Sequence, residues 1–263
     1  MAARERARAT TPRYVVGPSA LIGVMGLTLL AAQLLRRRRA RPVLFMHTVS
    51  APARAALSLV KACKLGERAI ELKRVALERG EHKSPAFLQV NPNGSVPALK
   101  DGDLRIGESH TIMRFITKRF PVDDRWYPQD ARTRARVDEQ LDWHHAHSRK
   151  GVPYFFHRYI VAPFFGGKPD REAEAIGKEA YLQALAFLNR HQLAKRRFLA
   201  ADHITIADLA CYAELGPMYW DDDLGPRIKA LPNVVAWMAR IRAEPWHDDV
   251  HGEVIGLVRR GAK

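Results

Sequence analysis

Between Asp123 and Asp130 the chain changes its hydrophobic period, which restricts it to two different architectures joined end to end. Upstream, Val43 to His47, Ala69 to Val75, Gly94 to Leu99 and Leu104 to Ile106 are short runs of strand formers, and Asp101-Gly102 joins the last two as a hairpin. Ala53 to Lys64 instead places Ala56, Leu59, Val60 and Cys63 on one helical face and stops at Gly66, and Glu108 to Phe120 predicts a second helix. Downstream, Ala131 to Arg149, Arg171 to Gln192, Thr205 to Tyr219 and Asn233 to Ala243 carry helical spacing and few strand signals. The expectation is α/β plus all-α: a leader over 1–41, an α/β domain over 42–122, a linker over 123–130 containing Pro128, and an all-helical domain over 131–263.

The formal charge of +15 invites a nucleic-acid partner, because cationic surfaces release counterions from phosphates. Its distribution argues otherwise. Residues 1–41 hold nine Arg and one Glu, hence +8, and the remaining +7 is spread among acids as on a solvated helical surface. No nucleic-acid partner is expected. Cys63 and Cys211 lie far apart and outside any Cys/His metal spacing, so they read as free thiols in a reducing compartment, and no metal is expected.

Val15 to Leu35 is a run of 21 residues without a charge. At about 1.5 Å per residue it just spans a hydrocarbon core roughly 30 Å thick. Arg36 to Arg39 follow, which predicts a hydrophobic leader helix anchoring the protein in a membrane with its catalytic part facing the cytosol. The competing reading is a transit sequence for a mitochondrion or plastid, because the N-terminus is rich in Arg and nearly free of acids, and Gly17, Pro18 and Gln33 dilute the apolar run.

Chemistry concentrates in Asn91-Pro92-Asn93-Gly94-Ser95-Val96-Pro97-Ala98-Leu99, followed by Glu108-Ser109-His110-Thr111-Ile112. Alone, each has a plain reading: a proline at the entry to a strand, and Glu-Ser at a helix start. Together, at this spacing, they resemble the glutathione-binding elements of glutathione transferases. The valine-proline pair, read as standing before an edge strand, is similar to the cis-proline turn of thioredoxin-like folds, whose exposed backbone pairs with an extended peptide. The resemblance thus implies a thioredoxin-like domain followed by a helical bundle. It also implies that Val96 and Pro97 hold the cysteinyl part of glutathione, while Glu108 and Ser109 take the ammonium and carboxylate of its γ-glutamyl end.

Ser50-Ala51-Pro52-Ala53-Arg54-Ala55 resembles the theta-class segment in which a serine at the start of a helix keeps the glutathione sulfur ionised. Ser50 also reads as a helix cap, and Thr48, His47 and Ser58 stand nearby as alternatives; Arg54 is a surface residue or a group that orients the loop. His82 and Lys83, in Gly80-Glu81-His82-Lys83-Ser84-Pro85, match a family segment that reaches the glycyl carboxylate. Trp126 to Asp130, Ala135 to Glu139, Leu141, Trp143 and His144 resemble the theta-class linker and first long helix, with Arg149 farther along it as a cation for the leaving group. Thr205-Ile206-Ala207-Asp208 has the form of a capping box and is structural. Phe155, Phe156, Tyr159 and Trp220 read as core before they read as pocket lining.

The resemblance extends over about residues 43–258, with three departures. Ser95 stands where the family has lysine, which removes one carboxylate contact at a position still expected to touch glutathione. The interval from Ser50 to His82 is about three residues longer than usual. The sequence ends at Lys263, where many theta members continue into a covering helix, so a more open pocket is expected. The implied activity is conjugation of glutathione, as co-substrate, to a small hydrophobic electrophile such as an alkyl halide, epoxide or hydroperoxide, by a homodimer. The rival is a non-catalytic glutathione-binding or protein-interaction module at a membrane. A thiol-disulfide enzyme would need a cysteine at position 50, which is Ser50, or a Cys-x-x-Cys pair, which the sequence lacks.

Overall fold

A computed structural model describes residues 41–66 and 68–261. Four short strands and two helices build the first part: β1 (Val43–Met46), α1 (Ala51–Ala62), β2 (Glu71–Arg74), β3 (Ala98–Asp101), β4 (Leu104–Ile106) and α3 (Ser109–Arg119), with the single turn α2 (Pro85–Leu88) before β3. The sheet order is β2-β1-β3-β4; β1 runs parallel to β2 and antiparallel to β3, which pairs antiparallel with β4. This is the mixed sheet of a thioredoxin-like domain. Alternate burial along β1 is lost because Leu44, Phe45 and Met46 are all buried, as befits a strand covered on both faces.

Two details differ from the sequence-based expectation. β3 begins at Ala98 rather than Gly94, because Asn91 folds the preceding residues into a turn by donating from Nδ2 to Ser95 O at 2.7 Å, and Pro97, in a cis bond after Val96, has no N–H for a ladder. The strand that follows Pro97 is also interior, since the Asp101-Gly102 hairpin covers its outer edge with β4.

The helical part comprises α4 (Ala131–Ala146), α5 (Val152–Phe155), α6 (Val161–Phe165), α7 (Arg171–Phe187), α8 (Ile206–Leu215), α9 (Leu224–Lys229), α10 (Pro232–Arg242) and α11 (His247–Arg259). All ten residues of α8 are buried, and it packs against α1 and α4, so it is the axis on which the two parts meet. Its start follows the expected capping box: the Thr205 amide donates to Asp208 Oδ2 at 2.9 Å, and Asp208 Oδ1 also accepts from Leu199 N and Trp237 Nε1. Four satisfied donors explain how a carboxylate can sit fully buried here.

Helix α4 stops at Ala146 rather than Arg149, and a 3-10 turn over Ser148–Gly151 leads into Pro153, whose ring suits the first turn of a new helix. A helix over His247–Arg259 was not anticipated; its stripe of Val250, Val254, Ile255 and Val258 is buried. The expectation of a transmembrane, membrane-localised protein is corrected: no helix among the described residues is long and apolar enough to cross a membrane. The run from which that anchor, its leader helix and the transit alternative were read lies outside the described residues.

Candidate active site

Ser50 is the N-cap of α1, with Pro52 in the first turn. Its Oγ accepts from Ala53 N at 3.4 Å and donates to Val96 O at 3.1 Å, which ties the helix start to the turn before Pro97. Ser50, Val96 and Arg149 line one cavity of about 210 Å³, together with Phe155, Phe156 and Phe164. Three residues singled out from separate stretches of the sequence are therefore brought together, although Arg149 arrives from the 3-10 turn and not from a helix.

The loop that carries Ser50 is held from behind. Arg54 is buried, and its guanidinium donates to Thr48 O at 2.6 Å, Val49 O at 2.9 Å and, from the helical part, Ala213 O at 2.6 Å. Burial pulls its pKa down to about 10, partly countered by Glu214. It is thus neither a surface residue nor a salt-bridge partner but a strut. His47 is buried and accepts Val49 N–H at Nδ1, 3.1 Å away; Thr48 bonds Glu253; Ser58 is buried against His251. None of the three lines the cavity.

Arg149 donates from Nη1 to Glu214 Oε2 at 2.8 Å, and Tyr181 donates to Glu214 Oε1 at 3.1 Å. Burial alone would lower the Arg149 pKa; the Glu214 carboxylate more than offsets it and holds the cation above its usual value. Glu214 was not singled out from the sequence, where it reads as one more helical acid.

The remaining expected residues lie along the segments around the Val96 turn and at the start of α3. Glu108 is the exposed N-cap of α3 and makes no capping bond with its side chain; Ser109, the first helical residue, is buried. Lys83 is exposed and lies over the turn before Val96: a Cβ added to Gly94 would stand 2.9 Å from its Nζ. With φ of +57° there, Gly94 needs the glycine backbone as well as the space. His82 is half-buried with no partner for Nδ1 among the described residues, and burial, then Lys83, keeps its pKa below the usual value. Ser95 is exposed, and its Oγ is 3.3 Å from Asn91 Nδ2. Of the aromatic candidates, Tyr159 is buried and bonded to Asp221, and Trp220 is not among the cavity residues. The cavity takes no lining residue from α11.

Family models match twice: glutathione S-transferase N-terminal domain over residues 46–118 and glutathione S-transferase C-terminal domain over residues 152–245. Human glutathione S-transferase theta-2 is 33% identical over 226 residues, which is 84% of this chain and 89% of the relative. Human glutathione S-transferase theta-1 is 35% identical over 206 residues, 78% and 84% of the two chains. Among solved structures, a human theta-class glutathione transferase in complex with the glutathione conjugate of 1-menaphthyl sulfate superposes with a TM-score of 0.74 at 32% identity, covering 85% of this chain and 91% of that one. Human glutathione transferase theta-2 in complex with glutathione gives 0.73 at 32% identity, with 84% and 90% covered.

Proposed function

This chain belongs to the glutathione S-transferase family, as an enzyme of its theta class, and we propose that Ser50 keeps bound glutathione as a thiolate for attack on small hydrophobic electrophiles. The observation that carries this reading is the position of the Ser50 hydroxyl at the N-terminus of α1, on the wall of the cavity that also holds Val96 and Arg149.

A hydroxyl proton and the positive end of a helix both favour sulfur as an anion. A thiol of pKa about 8.5 is only about 3% ionised at pH 7, and a drop of two units raises that to about three-quarters, for roughly 2.7 kcal/mol of differential stabilisation. Ser50 now gives its proton to Val96 O. When glutathione occupies the turn, its backbone takes over the polar groups of Val96, and the hydroxyl swings to the sulfur. No proton is transferred to Ser50; the thiol proton leaves to solvent.

The tripeptide lies, in this reading, along a domain over 42–122. Glu108, whose carboxylate caps nothing, receives the γ-glutamyl ammonium, and the Ser109 hydroxyl and amide receive the adjoining carboxylate. His82 and Lys83, with Ser95 as a weaker third contact, hold the glycyl carboxylate. The domain over 131–263 supplies the electrophile pocket, where Phe155, Phe156 and Phe164 favour alkyl halides, epoxides and hydroperoxides with an apolar body. The thiolate forms a bond to carbon as halide leaves or as an epoxide C–O bond opens to an alkoxide that solvent protonates, or to the terminal oxygen of a hydroperoxide as the O–O bond breaks and alkoxide leaves to be protonated by solvent, and Arg149 stabilises the developing charge. Two copies form the working unit, as is general for the family.

The test is a pH titration of glutathione-thiolate absorbance bound to the full-length protein, wild type against Ser50→Ala. A bound-thiol pKa at least one unit higher in the variant is expected. The same pKa in both would remove Ser50 from the mechanism.

A further inference from the structure

Beside the cavity, three histidines from two separate stretches of sequence meet. His110 is on α3, directly after Ser109, and His144 and His145 are on α4. One ring nitrogen from each lies within 4.8 Å of the others. Two of the rings are buried and the third is exposed. His110 Nε2 and His144 Nδ1 are 3.1 Å apart, while the rings of His110 and His145 have centroids at 4.1 Å.

We infer that His110, His144 and His145 form a binding site for a divalent transition metal of the zinc class, clamped between α3 and α4. Nitrogens about 2.0–2.1 Å from a tetrahedral zinc stand roughly 3.3 Å from each other, so the His110–His144 pair already has nearly the separation of two ligands. His145, at the surface, closes the remaining distance by a rotamer change, and water takes the fourth position.

His144 Nε2 supports this assignment independently. It is buried with no hydrogen-bond partner among the described residues, an uncommon state for a polar atom. It points toward Glu214, whose Oε2 is 3.8 Å away. If the metal occupies Nδ1, the single proton of neutral His144 must sit on Nε2 and face that carboxylate. This is the order of groups in a carboxylate–histidine–metal arrangement, which fixes the ring and raises its basicity, and a shift of about 1 Å brings the stranded nitrogen within hydrogen-bond reach of Glu214. Imidazole nitrogens select zinc, copper, nickel or cobalt over magnesium and calcium. The nearby cations are already answered: Arg149 by Glu214 at 2.8 Å and Arg114 by Asp138 at 2.6 Å. The expectation of no metal rested on the isolation of Cys63 and Cys211, and no short spacing marks this cluster, since His110 is 34 positions from His144.

The experiment uses full-length protein without affinity-tag histidines and without glutathione, which binds zinc itself. Zinc bound in equilibrium dialysis is counted by atomic absorption, and cobalt is added in parallel for its visible d–d bands. Wild type should hold one tight equivalent and give the intense cobalt spectrum of a four-coordinate site. The exposed ligand is changed in His145→Gln, which spares the core; affinity should fall at least tenfold, since even groups behind the ligands are worth that much. His191→Gln, an exposed histidine elsewhere, should change nothing. Equal zinc affinity in wild type and His145→Gln, or a cobalt spectrum no different from that of the aqua ion, overturns the site and leaves a pair of packed neutral imidazoles.

Discussion

Glu214 is where the packing of the helical part meets the cation proposed for the leaving group. Its side chain is 4% exposed, it accepts from Arg149 and Tyr181, and its chain neighbour Ala213 accepts from Arg54. Glu214→Gln keeps an acceptor for Tyr181 but turns an amide N–H₂ toward Arg149. Removing one partner of a fully buried pair costs about 3–5 kcal/mol, and Arg149, being about a third exposed, recovers part of that from water. A loss of about 1–3 kcal/mol is therefore expected in urea denaturation, and an unchanged midpoint would mean the pair does not hold the turn. Arg149→Ala probes the other function: kcat/KM toward an alkyl halide should fall about tenfold, less than the 10²–10³ typical of an enclosed oxyanion donor. KM for glutathione should hardly move. Ser50 and Val96 could be singled out in the sequence because each belongs to a short pattern with local meaning, whereas Arg149 was singled out only through the resemblance of the helix before it. The roles of Glu214 and Arg54 were not legible there, since Arg54 finds its carbonyl 159 positions away and no local pattern encodes that meeting.

At the scale of elements, the clearest test is the crossing of α5 and α7. Gly177 lies inside α7, where alanine ordinarily gains about 1 kcal/mol of helix propensity. Here a Cβ would stand 2.3 Å from Tyr154 N and 3.0 Å from Gly151 O, and both obstacles are backbone, so the helices must separate. Overpacking typically costs 1–3 kcal/mol, which exceeds the propensity gain. Gly177→Ala should lower the thermal midpoint by several degrees, while Gly252→Ala in α11, where nothing lies within 4 Å, should not. Among elements, the strands, α1, α3, α7 and the capping box before α8 were readable from period and caps. What escaped were helices whose cause is tertiary. The segment over 152–165 is interrupted by a π-turn at Phe156–Ile160, and α11 carries His, Asp and Gly between its apolar residues; both gain their stability from the surface they cover.

For the whole molecule, the docking of α11 on α1 makes stability depend on pH. His251 is buried between Ser58, Tyr212, Trp246 and His247, with Arg54 also acting on it, and its Nε2 lies 3.3 Å from Ser58 Oγ. Burial, then Arg54 and His247, hold its pKa well below 6.5, so the folded chain keeps it neutral where the unfolded chain protonates it. The unfolded state therefore binds more protons below pH 6.5, and stability falls as pH drops from there toward the folded pKa; above 6.5 the group contributes no slope. Between pH 6.5 and 5.5 one such histidine accounts for about 1 kcal/mol. That window also lies above the range in which paired carboxylates begin to titrate, so His251 is read with little interference from them. Urea denaturation at pH 7.5, 6.5 and 5.5 should show His251→Gln losing stability more gently than wild type between the last two points, whatever its absolute stability. Parallel slopes would mean that α11 admits the imidazolium, and that the contact between the C-terminal helix and the helix carrying Ser50 is looser than its buried residues require.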